Sequence, residues 1–241
     1  MPTKVGVIGA GGRMGRETCG AIDSDDELEL VARVGHDDPL DSLVQAEAEV
    51  AVDFTTPQSV KDNIRFCTEH GIHAVVGTTG LSDDDLDEIR RWTKEQGANV
   101  FIAPNFALGA VLMMRFAALA APHFHTAEIV ERHHERKKDA PSGTSLRTAA
   151  LMNEARGAPW KAPGGDEDAR GTDAEGIRIH SLRVPGSVAH QDVILGAPGE
   201  TLTIRHDSLD RSSFMPGVLL AIKKVASLDG LTVGLENLLE L

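Results

Sequence analysis

The feature that most constrains the fold is a glycine-rich turn that follows an apolar strand at the amino terminus. Residues 4–8, KVGVI, predict a buried β-strand, and the following GAGGRMGRETCGAI predicts a turn that opens a helix. Gly9, Gly12 and Gly15 have GxxGxxG spacing, with Gly11 as an additional glycine. Glycines let the backbone turn sharply and approach a pyrophosphate, whose charge then lies at a helix N-terminus. Because it lies between a strand and a helix, the turn predicts a dinucleotide site rather than a turn without a ligand.

Strands and helices alternate over the first hundred residues. Apolar runs predict strands at 4–8, 27–34, 49–54, 73–76 and 100–103. Helices are predicted after the glycine turn, at 57–69, and after Ser82, where acidic residues fill the first turn and Gly97 follows the last. This alternation predicts an α/β fold with a Rossmann-type, doubly wound parallel sheet.

The pattern changes after Asn105 and indicates a second, α+β domain with an open mixed or antiparallel sheet. Its predicted helices lie at 107–121 and 142–155, its strands at 126–131, 177–184, 190–195 and 201–206, and a long loop at 158–176. A final helix at 213–228 and the segment LTVGLENLLEL are predicted to return to the first domain. We therefore expect a dinucleotide-binding domain formed by residues 1–104 and 214–241, and a substrate-binding domain formed by residues 105–213.

The composition excludes several classes of protein. The formal net charge is -13, aromatic residues make up 4% and there is no Tyr, so the chain is unlike a nucleic-acid-binding protein. No apolar run has the roughly 20 residues that cross a bilayer. The two cysteines are far apart and form no metal or redox motif, so a cytoplasmic location is expected. The acidity indicates either ordinary solubility or adaptation to a salty cytoplasm, and the Asp-rich runs favour adaptation.

The end of the second predicted strand leaves the choice between the two dinucleotides open. Asp37 would accept a hydrogen bond from a ribose 2′-OH, which favours NAD. Arg33 or His36 would instead suit a 2′-phosphate, which favours NADP.

Positive charge is concentrated in one stretch of this acidic chain, residues 131–144, ERHHERKKDAPSGT. Histidine exchanges protons near neutral pH, and the helix predicted to start after the Pro-Ser-Gly turn offers free amides to an anion. The stretch therefore predicts a pocket for an anionic small molecule with a proton donor beside it. A shared metal is not expected, because adjacent strand residues point to opposite faces. A solvated charge run also explains Arg132, Arg136 and Lys138, but it explains less easily why they adjoin a helix start that suits an anion.

These segments resemble the dihydrodipicolinate reductase family. The resemblance rests on GAGGRMGR, VGTTG, APNFALG and ERHHERKKDAPSGT, in that order, and extends over nearly the whole chain. It implies NADPH- or NADH-dependent reduction of a cyclic dicarboxylate in the diaminopimelate route to lysine. It also implies a homotetramer built by the sheet of the second domain.

The resemblance assigns roles to individual residues. His133 matches the catalytic acid/base histidine, Lys137 the proton-donating lysine, and His134, Gly143 and Thr144 the substrate-binding residues. The cofactor-binding segments match Gly9, Ala10, Gly11, Gly12, Arg13, Met14, Gly77, Thr78, Thr79, Ala103, Pro104, Asn105 and Phe106.

The chain departs from the family pattern at two places. Arg136 stands where the family often has a further histidine, and an arginine cannot act as an acid in this pH range. Gly35 and His36 replace the family's acidic–basic pair, so its cofactor preference does not carry over. A dehydrogenase of another dicarboxylate, such as aspartate, and a non-enzymatic nucleotide sensor are the alternatives.

Overall fold

The computed structural model describes residues 1–161 and 169–239. Its strands are β1 (Thr3–Ile8), β2 (Leu28–Val34), β3 (Val50–Asp53), β4 (His73–Val76), β5 (Val100–Ile102), β6 (Thr126–His133), β7 (Thr172–Ala174), β8 (Ile177–Arg183), β9 (Ala189–Ala197), β10 (Glu200–Ser208) and β11 (Leu231–Val233). Its α-helices are α1 (Arg13–Asp23), α2 (Asp41–Gln45), α3 (Val60–Glu69), α4 (Asp83–Gln96), α5 (Leu108–Ala120), α6 (Gly143–Arg156) and α7 (Met215–Val225).

The chain divides into two compact units. Unit 1 comprises Met1–Ala107 and Phe214–Leu241, and unit 2 comprises Leu108–Ser213. The first boundary falls slightly after the residue 104 at which the sequence analysis placed it, because Phe106 and Ala107 are buried in unit 1.

Unit 1 is a doubly wound α/β unit around a six-stranded parallel sheet. The strand order is β11-β5-β4-β3-β1-β2, and every pairing is parallel. Helix α1 packs against α7, and α3 packs against α4. The central strands β3 and β4 are apolar and buried almost throughout, as expected for parallel strands covered on both faces. The predicted Rossmann-type sheet is confirmed, and its strand order reverses between β1 and β3.

Local sequence signals explain where helix α4 begins and ends. The Ser82 hydroxyl accepts a hydrogen bond from the Asp85 backbone N–H, and the Asp85 carboxylate accepts one from the Ser82 N–H. This capping box satisfies free amides at the start of the helix. At the other end, Gly97 adopts the left-handed conformation with φ 75°.

Unit 2 is built on a five-stranded mixed sheet in the order β10-β9-β6-β8-β7. Of the pairings among its described strands, only β6–β8 is parallel, which confirms the mixed alternative of the predicted fold class. Along β6, the side chains of Ala127, Ile129 and Glu131 are buried, and the residues between them are half-buried. One face of β6 therefore points into the core of the unit.

Several predicted boundaries in unit 2 differ from the structure, and β9 and β10 are each longer than the predicted 190–195 and 201–206. Strand β6 continues to His133 rather than ending at residue 131, because its pairing with β8 runs that far. The loop predicted at 158–176 contains β7, which pairs with β8, and its residues 162–168 lie outside the described part of the chain. Among the described residues, no helix is both long and apolar enough to cross a membrane.

Candidate active site

The glycine turn of unit 1 forms a tight connection between β1 and α1. Gly9 has a φ of 81°, and Gly12 is the N-cap residue of α1. A Cβ atom on Gly15 would collide with the Gly9 carbonyl, so the first turn of the helix packs directly on the backbone before it. The turn lies at the switch point between β1 and β3, where doubly wound sheets bind their ligands. Its geometry therefore suits the close approach of a pyrophosphate.

Two clefts of unit 1 open beside this turn. The larger has a volume of about 700 Å³ and is lined by residues that include Gly9, Gly11, Gly12, His36, Asp38, Phe54 and Thr55. The other, of about 400 Å³, is lined by Gly12, Arg13, Met14, Phe54, Thr55, Pro57, Gly77, Thr78 and Thr79. Most of the cofactor-binding residues predicted from the sequence thus lie around the turn.

Some predicted cofactor residues do not line these clefts. Ala10 lines neither cleft, and the same holds for the segment 103–106. In that segment, Ala103 and Phe106 are buried, and the Phe106 ring makes an edge contact with Phe54 at 5.9 Å between centroids. The segment therefore supports the cleft wall through Phe54.

A buried carboxylate, which sequence reasoning missed, orders the loops around the clefts. Asp53 ends β3 and accepts hydrogen bonds from the hydroxyls of Thr55 (2.8 Å) and Thr78 (2.7 Å) and from the Asn63 amide (2.7 Å). The Thr78 hydroxyl in turn accepts the Thr55 backbone N–H at 2.8 Å. These bonds tie the loop after β3 to the loop after β4. The only sequence signal was an acid at the end of an apolar strand.

The sequence pointed to Asp37 as the carboxylate at the edge where a ribose would bind, but Asp38 lines the larger cleft and Asp37 does not. The Arg33 guanidinium forms an ion pair with Asp23 at 2.8 Å. The Asp38 carboxylate accepts the Gly35 backbone N–H at 2.8 Å, and Asp38 and His36 line the larger cleft. Arg33 is thus engaged by a neighbouring acid, and a carboxylate lies at the cleft.

In unit 2, the candidate chemistry is centred on a histidine–carboxylate pair. Glu131 and His133 are two residues apart on β6 and therefore share a face. The His133 Nδ1 atom lies 2.5 Å from Glu131 Oε2, and the Glu131 side chain is fully buried. Burial lowers the pKa of His133 below its usual value, and Lys137 and Arg183 lower it further, against the raising effect of Glu131.

Arg183 on β8 contacts the same carboxylate as His133. Its guanidinium donates to both oxygens of Glu131 at 2.9 Å, a bidentate arrangement. Burial alone would raise the pKa of Glu131, but hydrogen bonds from Arg183, Ser181 and His133 lower it below its usual value. Glu131 is therefore ionised and accepts every hydrogen bond it makes.

Arg183 also holds the loop that follows β6. It donates to the carbonyls of Asp139 (2.6 Å) and Lys137 (3.3 Å). The Lys137 ammonium contacts both oxygens of Asp139, at 2.8 and 2.7 Å, and this contact lowers the pKa of Asp139. His134 differs, because its Nδ1 atom is buried and has no hydrogen-bond partner among the described residues.

The start of α6 lies against the same carboxylate. The Ser142 N–H donates to Glu131 Oε1 at 3.2 Å, and the Ser142 hydroxyl caps the helix by accepting the Ser145 N–H at 3.2 Å. Gly143 and Thr144 form the first turn of this helix, and the space where a Gly143 side chain would lie is open. Glu131 thus links His133 to the N-terminus of a helix, where anions bind favourably.

Sequence reasoning assigned no role to Glu131, Arg183 or Asp139. An acid two residues before a histidine on an alternating strand was the available signal for Glu131. For Arg183 there was none, because only the register of β6 with β8 brings it to the site. Across the described residues, no cluster of three or more potential metal ligands is found.

A doubly wound unit with a glycine turn at its switch point, joined to a unit with a histidine–carboxylate site, defines a dinucleotide-dependent oxidoreductase. Comparisons with known proteins identify its family. The family profile described as "Dihydrodipicolinate reductase, N-terminus" matches residues 3–106, and "Dihydrodipicolinate reductase, C-terminus" matches residues 109–239. The chain therefore belongs to the dihydrodipicolinate reductase family.

Individual relatives agree with this assignment. The chain is 52% identical over 248 residues to the 4-hydroxy-tetrahydrodipicolinate reductase of Nocardia farcinica, covering 100% of both chains. It is 50% identical over 245 residues to that of Streptomyces coelicolor, covering 99% of this chain and 98% of the relative. A dipicolinate-bound dihydrodipicolinate reductase from Paenisporosarcina sp. TG-14 superimposes with a TM-score of 0.89 at 37% identity, covering 99% of this chain and 100% of that structure.

Proposed function

We propose that this chain reduces 4-hydroxy-tetrahydrodipicolinate, via dihydrodipicolinate, to tetrahydrodipicolinate in the diaminopimelate route to lysine. The observation that carries the proposal is that Glu131 joins His133 to the start of α6, within one loop of Lys137. The family membership of the whole chain supports it. The overall reaction consumes one NAD(P)H and one proton, and yields tetrahydrodipicolinate, NAD(P)⁺ and water.

The anionic substrate would be held by unit 2. Its carboxylates suit the amides at Gly143 and Thr144, because a helix N-terminus carries partial positive charge. The unpartnered His134 Nδ1 would gain a hydrogen bond, which removes the free-energy cost of burying it alone. The positive charge of Lys137 would add to the attraction. These contacts explain why an acidic protein concentrates its positive charge here.

His133 and Lys137 would manage the proton of the reaction. The bound cofactor supplies a hydride to one ring carbon, and a neighbouring carbon or nitrogen then requires a proton. The His133 Nδ1 atom contacts the ionised carboxylate of Glu131, an arrangement in which imidazole exchanges protons efficiently. Lys137 is the second candidate proton donor. Its ammonium pairs with Asp139, so substrate binding would have to break this ion pair.

The residues of the glycine turn fit a dinucleotide, since a side chain on Gly9 would collide with the Phe54 backbone and one on Gly15 with the Gly9 backbone, and the tight turn that a pyrophosphate would approach therefore requires both glycines. We further propose that NADH is preferred to NADPH. Arg33 is engaged by Asp23, and Asp38 brings a carboxylate to the cleft, where it would repel a 2′-phosphate. We expect kcat/KM for NADH to exceed that for NADPH by roughly tenfold, equivalent to about 1.4 kcal/mol.

The proposed preference for NADH can be tested by breaking the ion pair between Arg33 and Asp23. Asp23→Asn releases Arg33, so the NADH/NADPH ratio of kcat/KM should fall. Asp25→Asn removes a carboxylate near the end of the same helix, one that pairs with Lys223, and should leave the ratio unchanged. A wild-type enzyme that prefers NADPH would refute the preference.

We also propose a homotetramer, acting on a small molecule in the cytoplasm, with no nucleic-acid or membrane partner. The family resemblance supports the tetramer, and the half-buried face of β6 offers a surface on the sheet of unit 2. Light scattering coupled to size-exclusion chromatography should give four times the 25.7 kDa of one chain. A mass of one or two chains would contradict the tetramer.

The reaction is tested by coupling this protein to the synthase that makes its substrate. NADH or NADPH should be oxidised only when the synthase and its substrates are present. His133→Ala and Lys137→Ala should each lower turnover by about 10²–10⁴ while cofactor binding persists. His180→Ala, also on the sheet of unit 2, is the matched control and should retain turnover. No oxidation with an active synthase, or cofactor reduction by aspartate instead, would overturn the proposal.

A further inference from the structure

The buried Glu131–Arg183 pair has a position that packing alone does not explain. Both groups are charged, the Glu131 side chain is fully buried, and that of Arg183 is 19% exposed. Burying two charges is costly in free energy, and apolar residues often replace such a pair without loss of stability. A pair in this position therefore suggests a role beyond folding.

Three groups that contact Glu131, those of His133, Ser142 and Arg183, belong to the proposed active site or hold part of it. His133 Nδ1 contacts one carboxylate oxygen, and the Ser142 N–H donates to the other. Arg183 contacts both oxygens and also the carbonyls of Lys137 and Asp139. One ion pair thus connects the histidine, the loop that carries the lysine and the helix N-terminus.

The contact with Glu131 selects the tautomer of His133. An ionised carboxylate can only accept hydrogen bonds, so Nδ1 must carry a hydrogen in both the neutral and the protonated ring. The neutral ring then has its lone pair on Nε2. Only Nε2 can gain or lose a proton without breaking the contact to Glu131.

We propose that Glu131 and Arg183 are positioning residues, which hold His133 as the Nδ1–H tautomer so that Nε2 exchanges the proton of the reaction. Arg183 fixes the loop of Lys137 at the same time. The inference rests on the proposed function for the identity of the reaction, but the tautomer and the titration of His133 are properties of the resting protein. They can be measured whether or not the protein turns over this substrate.

The two partners act on His133 in opposite directions. Glu131 stabilises the imidazolium, and Arg183 destabilises it both through its own charge and by occupying the Glu131 oxygens. The other charged group facing the ring is Lys137 from the loop, which is paired with Asp139, and the residue opposite on β9 is Ala189. Removing Glu131 should therefore lower the pKa of His133, and removing Arg183 should raise it.

The experiment follows ¹⁵N-labelled His133 by NMR as a function of pH in the full chain. The resonance is assigned with His133→Asn. In the wild type, Nδ1 should carry the hydrogen of the neutral ring. Glu131→Gln should move the titration to lower pH, and Arg183→Gln to higher pH. Glu128→Gln is the matched control, because Glu128 contacts His180 at 2.9 Å from the same strand and should leave His133 unchanged.

Turnover gives the second readout. The rate constant kcat/KM should fall as the pH rises and His133 loses its proton. In each variant, the midpoint of this fall should shift from the wild-type value in the same direction as the NMR titration. Glu131→Gln should lower kcat/KM by about 10²–10⁴, the loss typical when an acid/base histidine loses its orienting carboxylate. Unchanged titrations, or shifts in the same direction in both variants, would overturn the proposal.

A variant that keeps the negative charge at position 131 separates the loss of positioning from a loss of folding. Glu131→Asp retains a partner for Arg183 but withdraws the carboxylate from Nδ1 by one methylene. We expect a mixture of His133 tautomers and at least a tenfold loss of kcat/KM, with the thermal unfolding transition preserved. A wild-type tautomer and rate in this variant would also refute the proposal. If the wild type itself shows no turnover, the proposed function fails, and the NMR data alone decide on the positioning role.

Discussion

The ion pair between Lys137 and Asp139 would oppose substrate binding at the site that we propose. Both oxygens of Asp139 contact the lysine ammonium, so a substrate carboxylate must compete with an internal one. The Asp139 side chain is 60% exposed, and an ion pair in such a setting contributes about 0.2–1 kcal/mol. The competition is therefore modest but measurable.

We expect Asp139→Asn to tighten the binding of dipicolinate, used as a dicarboxylate probe, by up to about fivefold. The gain should disappear at high salt, which screens the attraction between Lys137 and the ligand. Isothermal titration calorimetry measures the dissociation constant directly. Asp173→Asn, at a surface pair with Arg178, is the control and should have no effect. Weaker binding in Asp139→Asn would show that Asp139 instead organises the loop.

His133 should gain a proton when the substrate binds. Burial lowers its pKa, so at pH 7 the ring of the free protein is mostly neutral. A bound dicarboxylate adds negative charge, which raises the pKa of His133 and favours the imidazolium. Below the pKa of the free protein the ring is already charged, so the uptake should vanish at low pH.

Calorimetry in buffers of different ionisation enthalpy counts the protons taken up with dipicolinate. We expect an uptake at pH 7 to 8 that is lost in His133→Asn. An apparent binding enthalpy that is independent of the buffer in the wild type would contradict this assignment.

At the scale of elements, the connection from β1 to α1 depends on two backbones lying in contact. Gly15 lies against the Gly9 carbonyl because it has no side chain, and a Cβ on Gly15 would strike that carbonyl. Gly20 lies on the same helix but has nothing within 4 Å of the position of a Cβ. The helix therefore contains one glycine that packing requires and one that it does not.

We expect Gly15→Ala to destabilise the protein by about 1–3 kcal/mol through overpacking and to weaken NADH binding at least about tenfold. Gly20→Ala should instead stabilise the helix by about 0.5–1 kcal/mol, since alanine restricts the unfolded chain more than glycine. Chemical denaturation and fluorescence titration with NADH measure the two effects. Equal effects of both substitutions would contradict the packing argument.

At the scale of the whole molecule, the dominant property is negative charge. The formal net charge is -13, and many of the acids are concentrated in Asp-rich runs such as the start of α4. Like charges repel one another in the folded state, and salt screens that repulsion. The candidate site is the exception, because it brings Arg183 and Lys137 together within unit 2.

We expect the melting temperature to rise between 10 mM and 0.5 M KCl, a range in which the screening length falls from about 30 Å to a few ångströms. Differential scanning calorimetry checks this, with sucrose as an uncharged control for solvent exclusion. A melting temperature that is constant or falls over this range would favour ordinary solubility over adaptation to salt.

The parts of the fold that were predictable have local causes. The capping box of α4 spans four residues, and the buried strands of unit 1 are short apolar runs, so their signals are contained in neighbouring residues. Helix α2 and strand β7 were missed because they have only 5 and 3 residues and depend on contacts with β2 and β8. The motif that marked His133 and Lys137 was also local.

The sequence by itself determined the class of fold, the glycine turn and the segment that carries the candidate chemistry, because hydrophobic period, capping and turn residues act over short distances. Only the tertiary structure decided how that segment is organised. Glu131 and Arg183 are 52 residues apart and meet because β6 and β8 pair in parallel. A bond between such distant residues depends on the register of the sheet, which no local pattern specifies.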